Sequence, residues 1–146
     1  MNEYFITEVE FGTPEYHNSI TLRDDILRKP LNLQFTPEQL SSEFDSYHLA
    51  IYNHELEMVG CLVLKPLSSE LIKMRQVAIA EGYQGKGLGR RLVVFSEAYA
   101  KTKGFKIMEL NARDVAIPFY EKNSYTKVGK PFEEVGIKHY KMEKTL

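Results

Sequence analysis

The segment Gln84-Gly85-Lys86-Gly87-Leu88-Gly89 decides how the chain is interpreted. It lies between a strand-like run, Leu71–Ile79, and a helix-like run that starts near Leu88. Glycines at alternate positions let the backbone approach a ligand without interference from Cβ. A strand that turns into a helix through such a loop directs free N–H groups and the positive end of the helix dipole at one point. With positive charge from Lys86, Arg90 and Arg91, the segment predicts a binding site for a phosphorylated cofactor.

Two other phosphate-binding loops fit this segment poorly. A magnesium-nucleotide loop needs Lys and then Ser or Thr after its last glycine, but Leu88 and Gly89 follow Gly87. A kinase or ATPase function is therefore not indicated. A dinucleotide loop needs a third glycine where Arg90 stands, and its later acidic residue is plausible only as Glu109.

The pattern Gln-x-x-Gly-x-Gly at Gln84, Gly87 and Gly89 resembles the pyrophosphate loop of the GCN5-related N-acetyltransferases, the GNAT family. In that family the loop holds the pyrophosphate of acyl-coenzyme A. Residues 75–93 resemble the family's strand–loop–helix core, and residues 110–125 resemble its second signature, a strand followed by a short helix with a tyrosine. The resemblance implies an acetyl-CoA site formed by Val77, Ala78, Ile79, Gln84, Gly85, Lys86, Gly87, Leu88, Gly89, Arg90, Asn111 and Tyr120.

The secondary-structure pattern predicts an α/β (mixed α+β) fold. Tight turns join the early strands, so we expect a mostly antiparallel sheet of about six to seven strands with helices on both faces. The resemblance adds a parallel pair that splays apart to admit the pantetheine arm. Strands are expected at residues 4–9, 46–52, 56–65, 71–79, 106–111, 125–129 and 135–144, and helices at residues 14–27, 38–44, 88–104 and 115–122. Thr13 and Asp114 are predicted helix caps, and Asn123 is predicted to take a left-handed conformation.

Composition limits the alternatives. The chain has 146 residues, 43% hydrophobic and 27% charged, with a net charge of −1. This predicts one domain over residues 1–146 and gives no support for a nucleic-acid partner. Without an apolar run long enough for a membrane or a signal-peptide pattern, and with Cys61 as the single cysteine, we expect a cytoplasmic protein. Cys61 is interpreted as a buried hydrophobic residue, and the four histidines show no metal-ligand spacing, so no metal is expected.

The catalytic residues are only partly predicted. The resemblance implies direct transfer within a ternary complex, with backbone N–H groups of Val77 and Ile79 at the thioester carbonyl and Tyr120 as general acid toward the sulfur. Many relatives carry a glutamate on the strand before the loop, but Leu71–Ile79 contains no carboxylate. Three residues are candidates for the general base: Gln76, which could hold a water that relays the proton, Glu109, a weak candidate, and His48. The base is therefore unassigned. Arg113 stands where the family often has asparagine, so Asn111 is the candidate for that cofactor contact.

The acceptor is the least determined part. Arg23, Arg28 and His48 are candidate acceptor contacts, with the arginines meeting an acidic group; the alternative is that they are solvated or paired with Asp24, Asp25 or a neighbouring glutamate. The leading hypothesis is an acetyl-CoA-dependent N-acetyltransferase, an acyltransferase acting on a small-molecule or peptide amine. The alternatives are another acyl donor or acceptor, or a non-catalytic acyl-CoA-binding sensor. A homodimer that pairs through the strand at residues 135–144 is a further hypothesis, and the alternative is that this strand closes the sheet within one chain.

Overall fold

A seven-stranded sheet organises the computed structural model, which describes residues 3–146. The strands are β1 Tyr4–Val9, β2 Tyr47–Asn53, β3 Met58–Pro66, β4 Leu71–Ile79, β5 Ile107–Arg113, β6 Thr126–Glu134 and β7 Ile137–Thr145. Their order across the sheet is β1-β2-β3-β4-β5-β7-β6. Every neighbouring pair is antiparallel except β4–β5, which is parallel. The predicted mixed, mostly antiparallel sheet is confirmed.

Four α-helices cover the sheet: α1 Pro14–Arg23, α2 Pro37–Ser41, α3 Leu88–Thr102 and α4 Ile117–Lys122. Helix α1 starts as predicted, because the side chain of Thr13 accepts a hydrogen bond from the backbone N–H of Tyr16. It ends earlier than residue 27: a π-helical turn follows over Asp24–Arg28, and a 3₁₀ turn that contains Pro30 then stops the helical path.

Two hydrophobic clusters lie on opposite faces of the sheet. Alternating side chains along β3 show the division, because Cys61 packs with Tyr16 of α1 whereas Leu62 packs with Leu88 and Leu92 of α3. Helix α4 contributes Ile117 to the α3 side. Helices thus cover both faces, as predicted.

The parallel strands separate soon after they meet. Strand β4 pairs with β5 only at Leu71–Ile107, Ile72–Met108 and Lys73–Glu109. The remainder of β4 continues beside β3, where a β-bulge places Gln76 and Val77 opposite one residue. Gln76 has a φ of 54°, in the left-handed region that a non-glycine residue rarely adopts. The predicted splayed pair is confirmed, and it opens a fork in the sheet.

Three local predictions need correction. Asn123 is not left-handed; its φ is −96°, and Ser124 takes the left-handed conformation with a φ of 72°. Asp114 does not cap one helix over residues 115–122, because a 3₁₀ turn over Asp114–Ala116 precedes α4. Strand β6 continues past Pro131, which it tolerates because β6 is an edge strand with irregular pairing.

No helix within residues 3–146 is both long enough and apolar enough to cross a membrane.

Candidate active site

A cavity of about 480 Å³ fills the fork between β4 and β5. Residues 73–77 of β4 form one wall, residues 110–113 of β5 and Tyr120 of α4 form the second, and segments 27–39 and 134–139 close it at one end. A volume of this size suits a small ligand or the reacting end of a larger one.

The loop before α3 presents backbone N–H groups. Gly82, Gly85 and Gly87 all have positive φ angles, and a Cβ at any of them would meet nothing within 4 Å. Helix α3 has no side-chain cap, and the N–H of Arg91 bonds to the carbonyl oxygen of Gly87 at 3.2 Å. The N–H groups of the three residues before Arg91 therefore have no intrahelical acceptor. Such an open, uncapped helix start fits an anionic ligand.

The predicted loop side chains divide into two groups. Lys86 and Arg90 are exposed, and the first turn of α3 contains no acidic residue that would oppose an anion. Gln84 closes the loop instead, because its amide Nε2 donates to the carbonyl oxygen of Ile79 at 3.0 Å. The Leu88 side chain is 2% exposed and packs in the core, so this residue offers only its backbone to a ligand.

The bulge of β4 brings backbone groups to the fork. Val77 lines the cavity, whereas the side chain of Ala78 is buried in the cluster on the α1 face. The ladder resumes at Ala78, which pairs with Cys61, and the backbone N–H of Ala80 bonds to the carbonyl oxygen of Val59 at 2.8 Å. Because a bulge interrupts ladder pairing, backbone donors near Val77 become available to a ligand.

Gln76 is held by a buried ion pair. Nη1 of Arg23 lies 2.8 Å from Oε2 of Glu43 and donates to Oε1 of Gln76 at 2.9 Å. Arg23 is fully buried, and Nη2 donates to Oε1 of Glu43 at 2.9 Å. Burial opposes ionisation of Glu43, but the hydrogen bonds and charge of Arg23 outweigh it, so the pKa of Glu43 is lowered. This placement argues against the predicted contact of Arg23 with an acceptor; the residue fixes the bulge.

Tyr120 projects its ring into the cavity from α4. It packs edge-on against Phe119 and Tyr125, with ring centroids 5.0 and 5.7 Å away. Burial raises the pKa of Tyr120 to about 12, so its hydroxyl keeps its proton at neutral pH. Within residues 3–146 the hydroxyl makes no hydrogen bond, which leaves it available to a group in the cavity.

Asn111 also lines the cavity, and its side-chain oxygen Oδ1 is buried without a hydrogen-bond donor among residues 3–146. A buried acceptor without a partner is costly. A ligand N–H in the fork would satisfy it, so Asn111 fits the predicted cofactor contact.

Two base candidates lie away from the cavity. Glu109 is 6% exposed at the last position of β5 that pairs with β4, opposite Lys73, and is not a lining residue. His48 is buried on β2 against Tyr16, and its Nε2 lies 3.0 Å from the carbonyl oxygen of Glu43. Burial lowers the pKa of His48. This position argues against a role for His48 in the reaction or in acceptor binding.

Several cavity residues were missed by sequence reasoning. Glu134 and His139 reach the cavity from the β6–β7 hairpin, and Lys73, Arg75 and Arg113 reach it from β4 and β5. The turn of this hairpin lies about ten residues beyond the motif at residues 110–125, and no local sequence pattern links the turn to the fork. Period-two alternation in β5 places Arg113 on the same face as Asn111, and this was the one signal available. Arg28, by contrast, was predicted and lines the cavity, with its guanidinium 4.4 Å from the Phe35 ring centre.

Among residues 3–146 the potential metal ligands are scattered and Cys61 is buried. Within residues 3–146 no group of three His, Cys, Asp or Glu side chains is arranged to hold a metal ion. Cys61 is buried behind β4, and burial raises the pKa of its thiol to about 12, which disfavours the nucleophilic thiolate.

The sequence matches a known protein family. The "Acetyltransferase (GNAT) domain" family matches residues 19–146, which include the fork, the glycine loop and the β6–β7 hairpin. The chain belongs to the GNAT acetyltransferase family. The match also covers the segment after α1, which the recognised motifs did not reach.

Curated GNAT relatives include two proteins of Bacillus subtilis (strain 168). "Uncharacterized N-acetyltransferase YitI" is 25% identical over 145 residues, which cover 94% of this chain and 97% of the relative. "Uncharacterized N-acetyltransferase YjcF" is 27% identical over 124 residues, which cover 84% of this chain and 87% of the relative. The similarity therefore extends over most of each protein's length.

Solved GNAT structures share the fold. A putative N-acetyltransferase from Lactobacillus plantarum superposes with a TM-score of 0.86 at 20% identity, covering 99% of this chain and 98% of that one. A GNAT family acetyltransferase from Elizabethkingia anophelis, solved with acetyl-CoA bound, gives a TM-score of 0.75 at 19% identity and covers 98% of each chain. At these identities the likeness concerns the GNAT fold.

Proposed function

We propose that the protein is an N-acetyltransferase that moves the acetyl group of acetyl-CoA directly to a primary amine of a small molecule or peptide. The observation that carries the proposal is the position of Tyr120 in the fork between β4 and β5. The glycine loop lies at the carboxyl end of β4, so a phosphate held there and a group in the fork can belong to one extended ligand. The acetyl-CoA bound to the Elizabethkingia relative is a ligand of that kind.

The chain's own groups fit such a ligand at three points. The uncapped start of α3, with Lys86 and Arg90 beside it, suits the pyrophosphate. The buried Oδ1 of Asn111 lacks a donor that an amide N–H of a pantetheine arm would supply. Backbone donors of the bulge near Val77 and Ile79 suit the carbonyl oxygen of a thioester, where negative charge develops during attack.

Bound acetyl-CoA supplies an activated acetyl thioester and a sulfur leaving group. The hydroxyl of Tyr120 is protonated at neutral pH, because burial raises its pKa to about 12, and it can donate that proton toward the sulfur. The ion pair of Arg23 and Glu43 keeps Gln76 and the bulge in place. Gln76 lines the cavity, and its amide oxygen already accepts a hydrogen bond from Arg23. A water relay through Gln76 stays a prediction.

Calorimetric titration with acetyl-CoA, with ATP and NAD as controls, tests the cofactor. Release of free thiol in the presence of a mixed panel of amines then tests transfer. We expect saturable binding of acetyl-CoA alone and amine-dependent thiol release. Binding without any release would favour a non-catalytic acyl-CoA sensor, and absence of binding would overturn the proposed function.

A further inference from the structure

The lining of the cavity carries an excess of positive charge. Four cationic side chains line the cavity, and they come from the segment after α1, from β4 and from β5: Arg28, Lys73, Arg75 and Arg113. The only lining carboxylate among the described residues is that of Glu134. Within residues 3–146 none of the four cations lies within 4.0 Å of a carboxylate. Their charge is therefore not neutralised by close ion pairs within the fold.

The cations also affect one another. The pKa of Lys73 is lowered, first by burial and then by the charge of Arg75. Like charges held close together in a partly buried cavity repel one another. An anion that enters the cavity is therefore attracted by the cations and also reduces the repulsion between them. Arginine is suited to this task, since its planar guanidinium can hold a carboxylate or a phosphate through two hydrogen bonds.

This cluster is separate from the pyrophosphate loop. Neither Lys86 nor Arg90 lines the cavity, and the uncapped start of α3 belongs to the loop rather than to the β5 wall. The proposed cofactor thus has its own cationic surroundings, and the cluster remains for the second substrate. Leu27, Leu31 and Leu33 also line the cavity, and their side chains limit the space available to the second substrate.

Resting on the proposed function, we propose that the acceptor is a small amine that carries an anionic group, either a carboxylate or a phosphate, bound by Arg28, Arg75 and Arg113. The four cations exceed the single lining carboxylate, which disfavours polyamines and other cationic acceptors. The cavity of about 480 Å³ must also hold the reacting end of the cofactor, so the space left for the acceptor favours a compound the size of an amino acid over an extended chain.

Matched acceptors test this inference. β-Alanine is compared with its amide, and 2-aminoethyl phosphate with ethanolamine, by thiol release from acetyl-CoA. We expect kcat/KM to be at least about tenfold higher for the anionic member of one pair, which corresponds to one charge-assisted hydrogen bond. The pair that shows the larger ratio distinguishes a carboxylate from a phosphate.

Variants locate the effect. Arg75→Gln and Arg113→Gln should each reduce the anionic-to-neutral ratio about tenfold while calorimetry shows unchanged binding of acetyl-CoA. Lys101→Gln, an exposed change on α3, is the matched control and should leave the ratio unchanged.

The outcomes separate the inference from the proposed function. Turnover that is equal or faster with neutral amines, or that requires an acidic peptide, overturns the inference while the transferase stands. If no amine is acetylated, the four amines are titrated calorimetrically in the presence of coenzyme A. The inference is overturned if the anionic amines bind no tighter than their neutral partners. It is supported if they bind tighter and Arg113→Gln abolishes the difference.

A different observation assigns the missing base. His139 is 7% exposed on β7, lines the cavity, and has its Nδ1 2.7 Å from the carbonyl oxygen of Ile137. A carbonyl oxygen only accepts, so Nδ1 carries the hydrogen and Nε2 of the neutral ring is left as an acceptor. Within residues 3–146 Nε2 makes no hydrogen bond. Phe132 stacks on the ring at 5.7 Å and fixes its plane.

We infer that His139 is the general base: its Nε2 accepts the proton that the ammonium group of the acceptor loses before or during attack. This inference also rests on the proposed function. His139→Gln should reduce kcat about 100-fold for a strongly basic amine, and less for a weakly basic amine that is already unprotonated. His17→Gln, an exposed histidine on α1, is the control.

A purely structural role would give a different pattern. Equal losses for strongly and weakly basic amines, or weaker binding of acetyl-CoA in His139→Gln, would overturn the assignment. Restoration of turnover in His139→Ala by added imidazole would support the assignment. If imidazole does not restore turnover, a larger loss of kcat for strongly basic than for weakly basic amines would still support a base rather than a structural role.

Discussion

The two ends of the proposed site, the glycine loop and the cavity, present different kinds of groups to a ligand. At the loop end, one continuous segment from β4 into α3 offers backbone N–H groups, and glycines keep side chains away. At the other end, side chains converge from segments that are far apart in the chain, namely 27–39, 73–77, 110–113 and 134–139. Backbone recognition depends on chain conformation and tolerates change in most side chains. Side-chain recognition depends on individual residues, so the acceptor end can change while the fold is kept.

Loss of the hydroxyl at the junction of the two ends should have the largest effect. Tyr120→Phe should lower kcat by about 10²- to 10⁴-fold, the range for loss of a general acid, with unchanged affinity for acetyl-CoA. Because burial raises the pKa of Tyr120 to about 12, the wild-type rate should not fall with rising pH while the pH stays well below that value. Single-turnover rates over a pH series check both points.

Tyr125→Phe provides the matched control for that prediction. Tyr125 is also buried, but its hydroxyl donates to Glu97 at 2.8 Å and it does not line the cavity. It should keep near-normal kcat. Equal rates for Tyr120→Phe and the wild type across the pH series would remove Tyr120 from the chemistry.

The loop end should fail when a negative side chain enters it. Gly87→Glu places a carboxylate at the start of α3 and a side chain on a residue with a φ of 79°. We expect affinity for acetyl-CoA to fall by about 100-fold or more, from charge repulsion and backbone strain together. Isothermal calorimetry measures the loss.

Gly12→Glu separates strain from charge. Gly12 has nearly the same φ, 81°, and the same open space around a Cβ, but it lies between β1 and α1. It should show similar destabilisation with unchanged affinity. Equal affinity losses in both variants would mean that the loop does not bind the cofactor.

The support behind the bulge should appear in stability. Glu43→Gln leaves the buried charge of Arg23 without a counterion, and we expect a loss of about 3–5 kcal/mol in the free energy of unfolding. Glu38→Gln, an exposed change on α2, should have no measurable effect. Urea unfolding monitored by circular dichroism makes the comparison.

Acid adds a second test of the same pair. The folded-state pKa of Glu43 is lowered below its ordinary 4.5, so its ionised form stabilises the fold above that pH, and the benefit is lost as the pH falls through the folded-state pKa. Glu43→Gln should therefore show a shallower loss of stability below pH 4.5 than the wild type. A parallel decline in both proteins would show that Glu43 titrates normally.

The smallest effect is expected at the rim of the acceptor end. Arg28→Gln should raise KM for an anionic acceptor by about fivefold, or about 1 kcal/mol, at a partly exposed site, with little change in kcat. Its neighbour Lys29→Gln is the control, because Lys29 pairs with Asp25 at 2.7 Å in solvent and does not line the cavity. An unchanged KM for Arg28→Gln would restrict anion binding to Arg75 and Arg113.

Sequence reasoning reached the loop end because its signal is contiguous. Glycine positions, the strand before them and the helix after them lie within residues 71–104, and each leaves a local pattern. The fork followed from the family resemblance and was confirmed by the limited pairing of β4 with β5.

The acceptor end depends on contacts that no local pattern contains. Arg23 and Arg28 lie on the same amphipathic stretch and looked equivalent, yet Arg23 is fully buried with Glu43 while Arg28 lines the cavity. The π-helical turn Asp24–Arg28 separates them, and only the packed structure shows it. His139 was equally inaccessible, because its role depends on the strand order that inserts β7 beside β5.

That strand order also affects how the molecule is made. Strand β7 comes after β6 in the chain but lies between β5 and β6, and its Met142 fills the core next to Leu110. Until β7 has been synthesised, β5 has an open edge and the cavity lacks the wall that carries His139. A nascent chain therefore exposes an unpaired strand edge from the synthesis of β5 until that of β7, and such an edge is the feature that attracts chaperones or other unpaired strands. The wall of the cavity and the covering of the β5 edge are completed by the same strand, β7.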